Sequence, residues 1–418
     1  MLYHIKQFMT LIILGLSITL LVSCRPTKLA PPSGLPVSFE VAIPILTNHL
    51  LIQIKNKLGI LDIFDQKKIL FEPFIDLTSH QVVKVSRQIE FIIFTETQKK
   101  FGDKFSIKRL IHENSIQADY IMHGVLTYEP YREQDINYYH VISSVIHKNT
   151  GQVVAKSDVW ISNYDLDFRM VIESPMIVQD SHSIAEQVVK LNIDAQVPKN
   201  YNNFLKVGAL ITQAETAYEN KDYQTALALY TQFSKLQSFE KHKMMNAYIG
   251  LYQTNIHLGN WDAAEKAFAK MVALNFEEYN SLGIKFIFLV NKVTFDSKLK
   301  AQYAIWLRQI GQYLEDNNNL CLHIVGHSSR SGGLDYNCNL SLNRAKAIQQ
   351  KLQPYYKLVK ANSKTDAKAW SQNIVGSGTD DAQDAIDRRV EFKVVSCPVS
   401  DNLSLHNKIK SCVNSVLQ

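Results

Sequence analysis

The first apolar run, Phe8 to Val22, is broken only by Thr10, Gly15, Ser17 and Thr19, and Lys6 precedes it. It falls short of the about 20 apolar residues of a membrane span and, with its positive start, reads as a targeting segment. Beyond Leu35 the pattern changes to that of a folded domain. Ile43, Leu46, Leu50, Leu51, Ile54 and Leu58 recur at helical spacing before Gly59, which predicts a helix over 41–58. The apolar stretch Ile69 to Asp76 predicts a buried strand. Val82, Val83, Val85, Ile89, Ile92 and Ile93 predict a helix over 79–101, and Ser106 to Gln117 a shorter one. Ala118 to Thr127 reads as the start of a sheet. Tyr138–His147 and Gln152–Ile161, joined by Lys148-Asn149-Thr150-Gly151, read as a hairpin.

From about 200 to 280 the spacing is helical throughout and repeats itself. Asp222-Tyr223-Gln224-Thr225-Ala226-Leu227-Ala228-Leu229-Tyr230 is echoed by Asn260-Trp261-Asp262-Ala263-Ala264-Glu265-Lys266-Ala267-Phe268. Ala226 and Ala264 lie 38 residues apart, against the roughly 34 of a tetratricopeptide repeat. A small Ala lets antiparallel helices approach closely, Tyr230 and Phe268 fill the space between them, and Gly259 sits at the turn. The pattern resembles a tetratricopeptide pair, although Gln237 and Asn275 stand where the closing prolines are usual. Two repeats fall short of the three or so needed for independent stability, so the pair is expected to lean on a flanking domain. It would present a surface for a partner protein or act as a rigid spacer.

Composition narrows the function. With 418 residues and 46% apolar content, the chain has room for two to four cored domains. The formal charge of +6 falls to +5 once Lys6 is removed, and there is no long basic run. Neither nucleic acid nor an acidic lipid surface is implied. No phosphate-cradling Gly-x-x-x-x-Gly-Lys-Ser/Thr, Gly-x-Ser-x-Gly or His-Glu-x-x-His is present, so no catalytic residue and no cofactor is nominated. His112, His123 and His140 lack metal-ligand spacing.

The cysteines carry more information. Leu21-Val22-Ser23-Cys24 resembles the lipobox of bacterial lipoproteins. That resemblance implies a signal peptide over 1–23, cleavage before Cys24, diacylglycerol on its thiol and a third acyl chain on its amine. Two chains exceed the threshold for stable anchoring. Arg25 follows, rather than the aspartate that retains enterobacterial lipoproteins at the inner membrane, which points to a periplasm-facing outer-membrane anchor. Residues 24–35, with Pro26, Pro31, Pro32 and Gly34, form an acylated tether. Cys321, Cys338, Cys397 and Cys412 remain, and an even number in an oxidising compartment suggests disulfides with three possible pairings. The two pairings singled out are Cys397–Cys412 and Cys321–Cys338.

Two domain resemblances follow. Phe74-Ile75-Asp76, the Ala-Asp-Tyr-Ile-x-x-Gly strand at 118–124 and the Thr-Gly-Gln-Val-Val hairpin at 150–154 resemble the lipoprotein domains of penicillin-binding-protein activators, flagellar accessory lipoproteins and curli-secretion components. That implies an α/β domain over 36–195 that binds partner proteins. Val293-Thr294-Phe295-Asp296, Leu299 to Leu314, Leu322 to Gly332, Asn337 to Ala345, Gly376-Ser377-Gly378 and Asp387-Arg388-Arg389-Val390-Glu391 occur in the order of the OmpA-like domain. That implies a βαβα sandwich over 283–397, gripping peptidoglycan without covalent chemistry, and a tail over 398–418 that is helical at most from Leu403 to Leu417.

In that family the ligand is the zwitterionic side chain of diaminopimelate. An aspartate takes its ammonium, and an arginine fifteen residues later takes its carboxylate through paired hydrogen bonds. Here Arg344 stands at the arginine position and Ser329 at the aspartate position, with Arg330 beside it. A hydroxyl cannot neutralise an ammonium, and losing one charged partner typically costs about 2–5 kcal/mol. The candidate binding residues are Arg344, Ser329, Ser328, Asn337, Asp296, Asp387 and Arg388. Three readings stay open: another carboxylate (Asp296, Asp335 or Asp387) substitutes; a different acidic ligand suits Arg344, Arg330 and Arg388; or the domain only docks. The lysine-rich stretch Tyr355 to Gln372 reads as an inserted solvated loop or a partner surface. The whole is expected to be a multidomain α/β protein with a central helical pair. Its expected role is to link the outer membrane to peptidoglycan or to scaffold periplasmic and envelope proteins. The alternative is a regulator or assembly factor of an envelope complex that has lost diaminopimelate binding.

Overall fold

The computed structural model describes residues 34–59, 65–111, 118–132, 136–163, 165–176, 184–235, 241–284, 286, 288–289, 292–295, 297–373 and 387–417. The apolar run 8–22, Cys24, His112, Asp296 and Gly376-Ser377-Gly378 lie outside them. Among the described residues no helix is long and apolar enough to cross a membrane.

The first domain is a mixed sheet covered on both faces. Its elements are α1 (Phe39–Lys57), β1 (Lys67–Phe71), β2 (Ile75–Asp76), α2 (Lys84–Phe101), β3 (Phe105–Arg109), β4 (Tyr120–Pro130), β5 (Asn137–His147), β6 (Gln152–Ile161) and α3 (Ile184–Lys190). The strand order is β3-β1-β4-β5-β6, and β2 also pairs with β4. β1 is parallel to β3 and β4, and β5 is antiparallel to β4 and β6. On one face α1 and α2 bury Ile43, Leu46, Leu50, Ile89 and Ile93. On the other, α3 and the start of the next helix bury Val188, Phe204 and Leu205. The expected hairpin forms as the alternation indicated. Two expectations change. The run 69–76 is interrupted at Glu72-Pro73-Phe74, where Pro73 has no N–H to give a ladder. Residues 105–109 form an edge strand rather than the helix expected over 106–117, because they pair with all five residues of β1. Residues 112–117 lie outside the described set.

Four helices follow: α4 (Tyr201–Glu219), α5 (Tyr223–Ser234), α6 (Lys241–His257) and α7 (Trp261–Tyr279). The Asp222 carboxylate accepts from the Thr225 N–H at 3.1 Å and caps α5. Ala226, Tyr230, Ala264 and Phe268 are buried, as their spacing required. These helices keep only a small cluster of their own, Val207, Leu210, Phe233 and Ala247. Phe268 stacks on Trp306 and Phe276 on Tyr313, so α7 shares one hydrophobic cluster with the last domain.

The last domain contains β7 (Ser281–Ile284), α8 (Lys300–Asp316), β8 (Cys321–His327), α9 (Leu334–Leu352), β9 (Ser363–Ala369), β10 (Val390–Val395) and α10 (Leu405–Leu417). The sheet order is β7-β10-β8-β9, with β9 parallel to β8 and the other pairs antiparallel. The opening strand is β7, a dozen residues before the expected Val293–Asp296. There Phe295 makes only an isolated bridge to Phe288. The stretch 355–372 is not the expected loop, because Ser363, Thr365, Ala367 and Ala369 alternate inward against α9 and α10 while Lys364 and Lys368 face outward.

The disulfides join Cys321 to Cys397 and Cys338 to Cys412, overturning the pairings Cys321–Cys338 and Cys397–Cys412. The register explains the first: Val395 lies opposite Cys321, so the chain leaving β10 passes the start of β8. The second follows from the packing of α10 over α9 and β9, where Cys338, Leu342, Ala367 and Cys412 share a small cluster. Buried Lys408 fastens the same helix, donating to the Thr365 carbonyl at 2.6 Å and to Asp401.

Candidate functional site

Gly326 brings the site together. A Cβ there would lie 1.9 Å from the Ser341 carbonyl oxygen, so α9 crosses β8 backbone against backbone. One turn later Arg344 reaches the end of β8. Its Nη1 lies 3.5 Å from the His327 carbonyl, and its guanidinium lies 5.0 Å from the centre of the Phe288 ring. The third contributor is the chain entering β10. Val390 pairs with Gly326, and the His327 N–H donates to the Arg389 carbonyl at 3.0 Å. That hydrogen bond carries the antiparallel register one residue beyond the strand, setting Arg389 opposite His327.

The structure therefore gathers Ser328, Ser329, Arg344, Asn337, Asp387 and Arg388 around one end of β8. All six are buried, Arg344 to 1% exposure and Asp387 to 0%. Asn337 fixes the loop between β8 and α9, its Nδ2 donating to the carbonyls of Ser331 at 2.7 Å and Gly333 at 3.1 Å. The Ser328 N–H donates to the Ala369 carbonyl at 2.9 Å. Of the other candidate carboxylates, Asp335 is exposed in the first turn of α9, and Asp296 lies outside the described residues. Arg330 is exposed.

Three further titratable groups complete this end of the sheet. Arg389 holds Glu391 through Nε at 2.9 Å and Nη2 at 2.8 Å, and also donates to the Gln372 carbonyl. His327, fully buried, has its Nε2 3.7 Å from Glu391. Burial pushes the His327 pKa down to about 4, outweighing the upward pull of Glu391. Burial alone would raise the Glu391 carboxyl. Contact with His327, Arg389 and Lys393 instead holds it below the usual carboxylate range. Their alternation in the Arg-Arg-Val-Glu run was the available signal, since residues 389 and 391 share one face of a strand.

The group brings the cations Arg344, Arg388 and Arg389 and the carboxylates Asp387 and Glu391 into the buried end of the sheet. Among the described residues no group of three His, Cys, Asp or Glu could hold a metal ion. Two histidines of the first domain are engaged: His123 bridges Glu72 and Tyr201, and His140 lies between Glu129 and Asp158.

Residues 295–387 match the OmpA family. A comparison with the curated proteins returns no match. Among solved structures, the OmpA-like domain of FopA1 from Francisella tularensis subsp. tularensis SCHU S4 is 20% identical, covering 29% of this chain and 75% of its own, with a TM-score of 0.23. A MotB-like protein from Desulfovibrio vulgaris is 14% identical, covering 33% of this chain and 97% of its own, also with a TM-score of 0.23. At those scores neither structure carries the assignment, which rests on the family match and on the ordered motifs it spans. The C-terminal part of this multidomain chain is an OmpA-like domain.

Proposed function

We propose that this protein is an outer-membrane lipoprotein, anchored through Cys24, that associates non-covalently with peptidoglycan and scaffolds envelope proteins. The OmpA-like domain, consistent with peptidoglycan association or envelope scaffolding, supports that reading. In this reading the C-terminal domain is a βαβα sandwich and the central helices are a tetratricopeptide-like pair. With the N-terminal α/β domain, the pair engages periplasmic partners. The activity is binding, not catalysis.

The observation that carries the proposal is the buried Arg344 at the end of β8, the strand that Ser329 follows and whose partner strand Asp387 precedes. Asp387 supplies the carboxylate that Ser329 lacks, so the site keeps one group of each sign for a zwitterionic side chain. A second reading, a docking domain without diaminopimelate binding, is favoured by the burial of Arg344 and by the serine itself. Co-sedimentation of the full chain with purified sacculi separates the two. On the first reading wild-type protein is retained, Asp387→Asn weakens retention at least about 30-fold, and Ser329→Asp strengthens it. On the second, wild-type and Asp387→Asn proteins stay equally in the supernatant, and retention by Ser329→Asp alone would identify a lost site that one carboxylate restores.

A further inference from the structure

A cavity of about 110 Å³ lies between the first domain and the central helices, remote from the end of β8. Its walls come from the chain after β1, the segment 80–82, and helices α4, α5 and α6. Ile172, Ile184, Phe204 and Ile249 make much of it apolar. Its polar lining includes the Gln81 and Asn246 amides, which bond to each other at 2.8 Å, and two carboxylates on different elements, Glu72 and Glu215.

Glu72 comes from the β1 side. One of its carboxylate oxygens receives the His123 ring N–H, and the other His123 nitrogen faces the Tyr201 hydroxyl. The second oxygen, Oε1, occupies space that α4 leaves open only because residue 208 is glycine. A Cβ at Gly208 would lie 2.8 Å from it. Glu215 comes from the α4 side, with one Arg87 contact at 3.5 Å. Around it Glu90, Glu215 and Glu219 share the two guanidiniums of Arg87 and Arg109, leaving an excess of negative charge. Burial, with Glu219 nearby and only partly offset by Arg87, raises the Glu215 carboxyl to about 7. Tyr230 closes the cavity from α5. It is 1% exposed, and its hydroxyl has no hydrogen-bond partner among the described residues, as is true of His80 Nδ1 on the rim. A buried polar group left so is costly unless something else satisfies it.

We propose that this cavity is a binding site for a primary ammonium on a short apolar stem. The Glu72 and Glu215 carboxylates and the Tyr230 hydroxyl would accept its three N–H bonds, and the isoleucines and Phe204 would enclose the stem. An ammonium offers three donors and no acceptor, which matches two carboxylates and a hydroxyl without a partner among the described residues. A cavity of about 150 Å³ accommodates benzene, so this one suits a ligand of about five heavy atoms. The same chemistry is presented by a free alkylamine or diamine and by the lysyl side chain of a partner protein. The site nominates no reaction.

Calorimetric titration of the full chain tests the proposal with three probes: butylammonium chloride, n-butanol, and N-acetyl-lysine methylamide. Butylammonium should bind saturably and butanol should not at the same concentration. Tyr230→Phe removes a hydroxyl with no partner among the described residues, so it should fold like wild type yet bind butylammonium at least tenfold more weakly. Gly208→Ala should weaken it as strongly by displacing Glu72. Saturation by the lysine probe as well identifies a lysyl side chain as the ligand, and saturation by butylammonium alone identifies a free amine. Equal binding of butanol, unchanged affinity in Tyr230→Phe, or no saturable binding of either amine overturns the proposal.

Discussion

At the scale of single residues, the end of β8 is governed by two that carry little weight in a sequence. Gly326 is a small residue inside a strand, a position where glycine ordinarily weakens the sheet. Here it admits α9, and Gly326→Ala should cost about 3 kcal/mol, the upper part of the overpacking range, read as a shifted urea midpoint. His327 couples the same place to pH. Its folded pKa of about 4 lies below the ordinary 6.5, so between those values the unfolded chain binds the extra proton. The stabilisation from the neutral ring is thus complete above about pH 6.5 and is lost as pH falls toward 4. The drop in unfolding free energy from pH 7 to pH 5 should shrink by about 2 kcal/mol in His327→Asn, measured by denaturant titration at each pH. An NMR titration should find the wild-type ring uncharged at pH 5.5. The motif made Arg344, Ser329 and Asn337 visible in the sequence. It did not reveal that Asn337 clamps a loop, or that Glu391 and Arg389 join the group, because those facts depend on which chain segment lies alongside.

At the scale of elements, alternation and helical spacing were sound wherever one face is buried. They recovered α1, the β5–β6 hairpin and the two helices that carry the repeated segments, α5 and α7. They missed where partners decide. Residues 105–109 extend because β1 offers a free edge, and 363–369 extend because β8 does. The cysteines follow the same rule. Nearby pairs are attractive in sequence, but antiparallel pairing of β10 with β8 brings together residues 76 apart, and the packing of α10 brings together residues 74 apart. Loops of that length constrain the unfolded chain strongly. Cys338→Ser with Cys412→Ser should therefore lower stability by roughly 2–5 kcal/mol. In hydrogen exchange the loss of protection should concentrate in 405–417, where Lys408 would be left to fasten the helix.

At the scale of the molecule, three sequence domains become a continuous body. The start of α4 fills one face of the first sheet, its end exchanges charges with α2 and β3, and α7 lies on α8. The expectation that a two-repeat pair leans on a neighbour is met in the shared cluster of Phe268, Phe276, Trp306 and Tyr313. A fragment beginning at Ser281 should therefore bind a hydrophobic dye and lose cooperative unfolding, whereas one beginning at Tyr201 should keep its C-terminal core intact. Across the other junction, Arg87→Met leaves Glu215 and Glu219 short of a cation in a buried network. It should destabilise the protein by about 3–5 kcal/mol in equilibrium unfolding, more than an exposed ion pair would.

The sequence by itself determined the local periods, the repeated helical unit and the ordered motifs of the OmpA-like domain, because each depends on residues within a turn or a strand of one another. Tertiary structure alone decided the crossed disulfides, the hydrogen bond of His327 to Arg389, the burial of Arg344 and the cavity beside Gly208. Those features join residues tens to more than a hundred positions apart. Their proximity is set by sheet register and helix packing, whose energy comes from the whole core rather than from any segment that could be read alone.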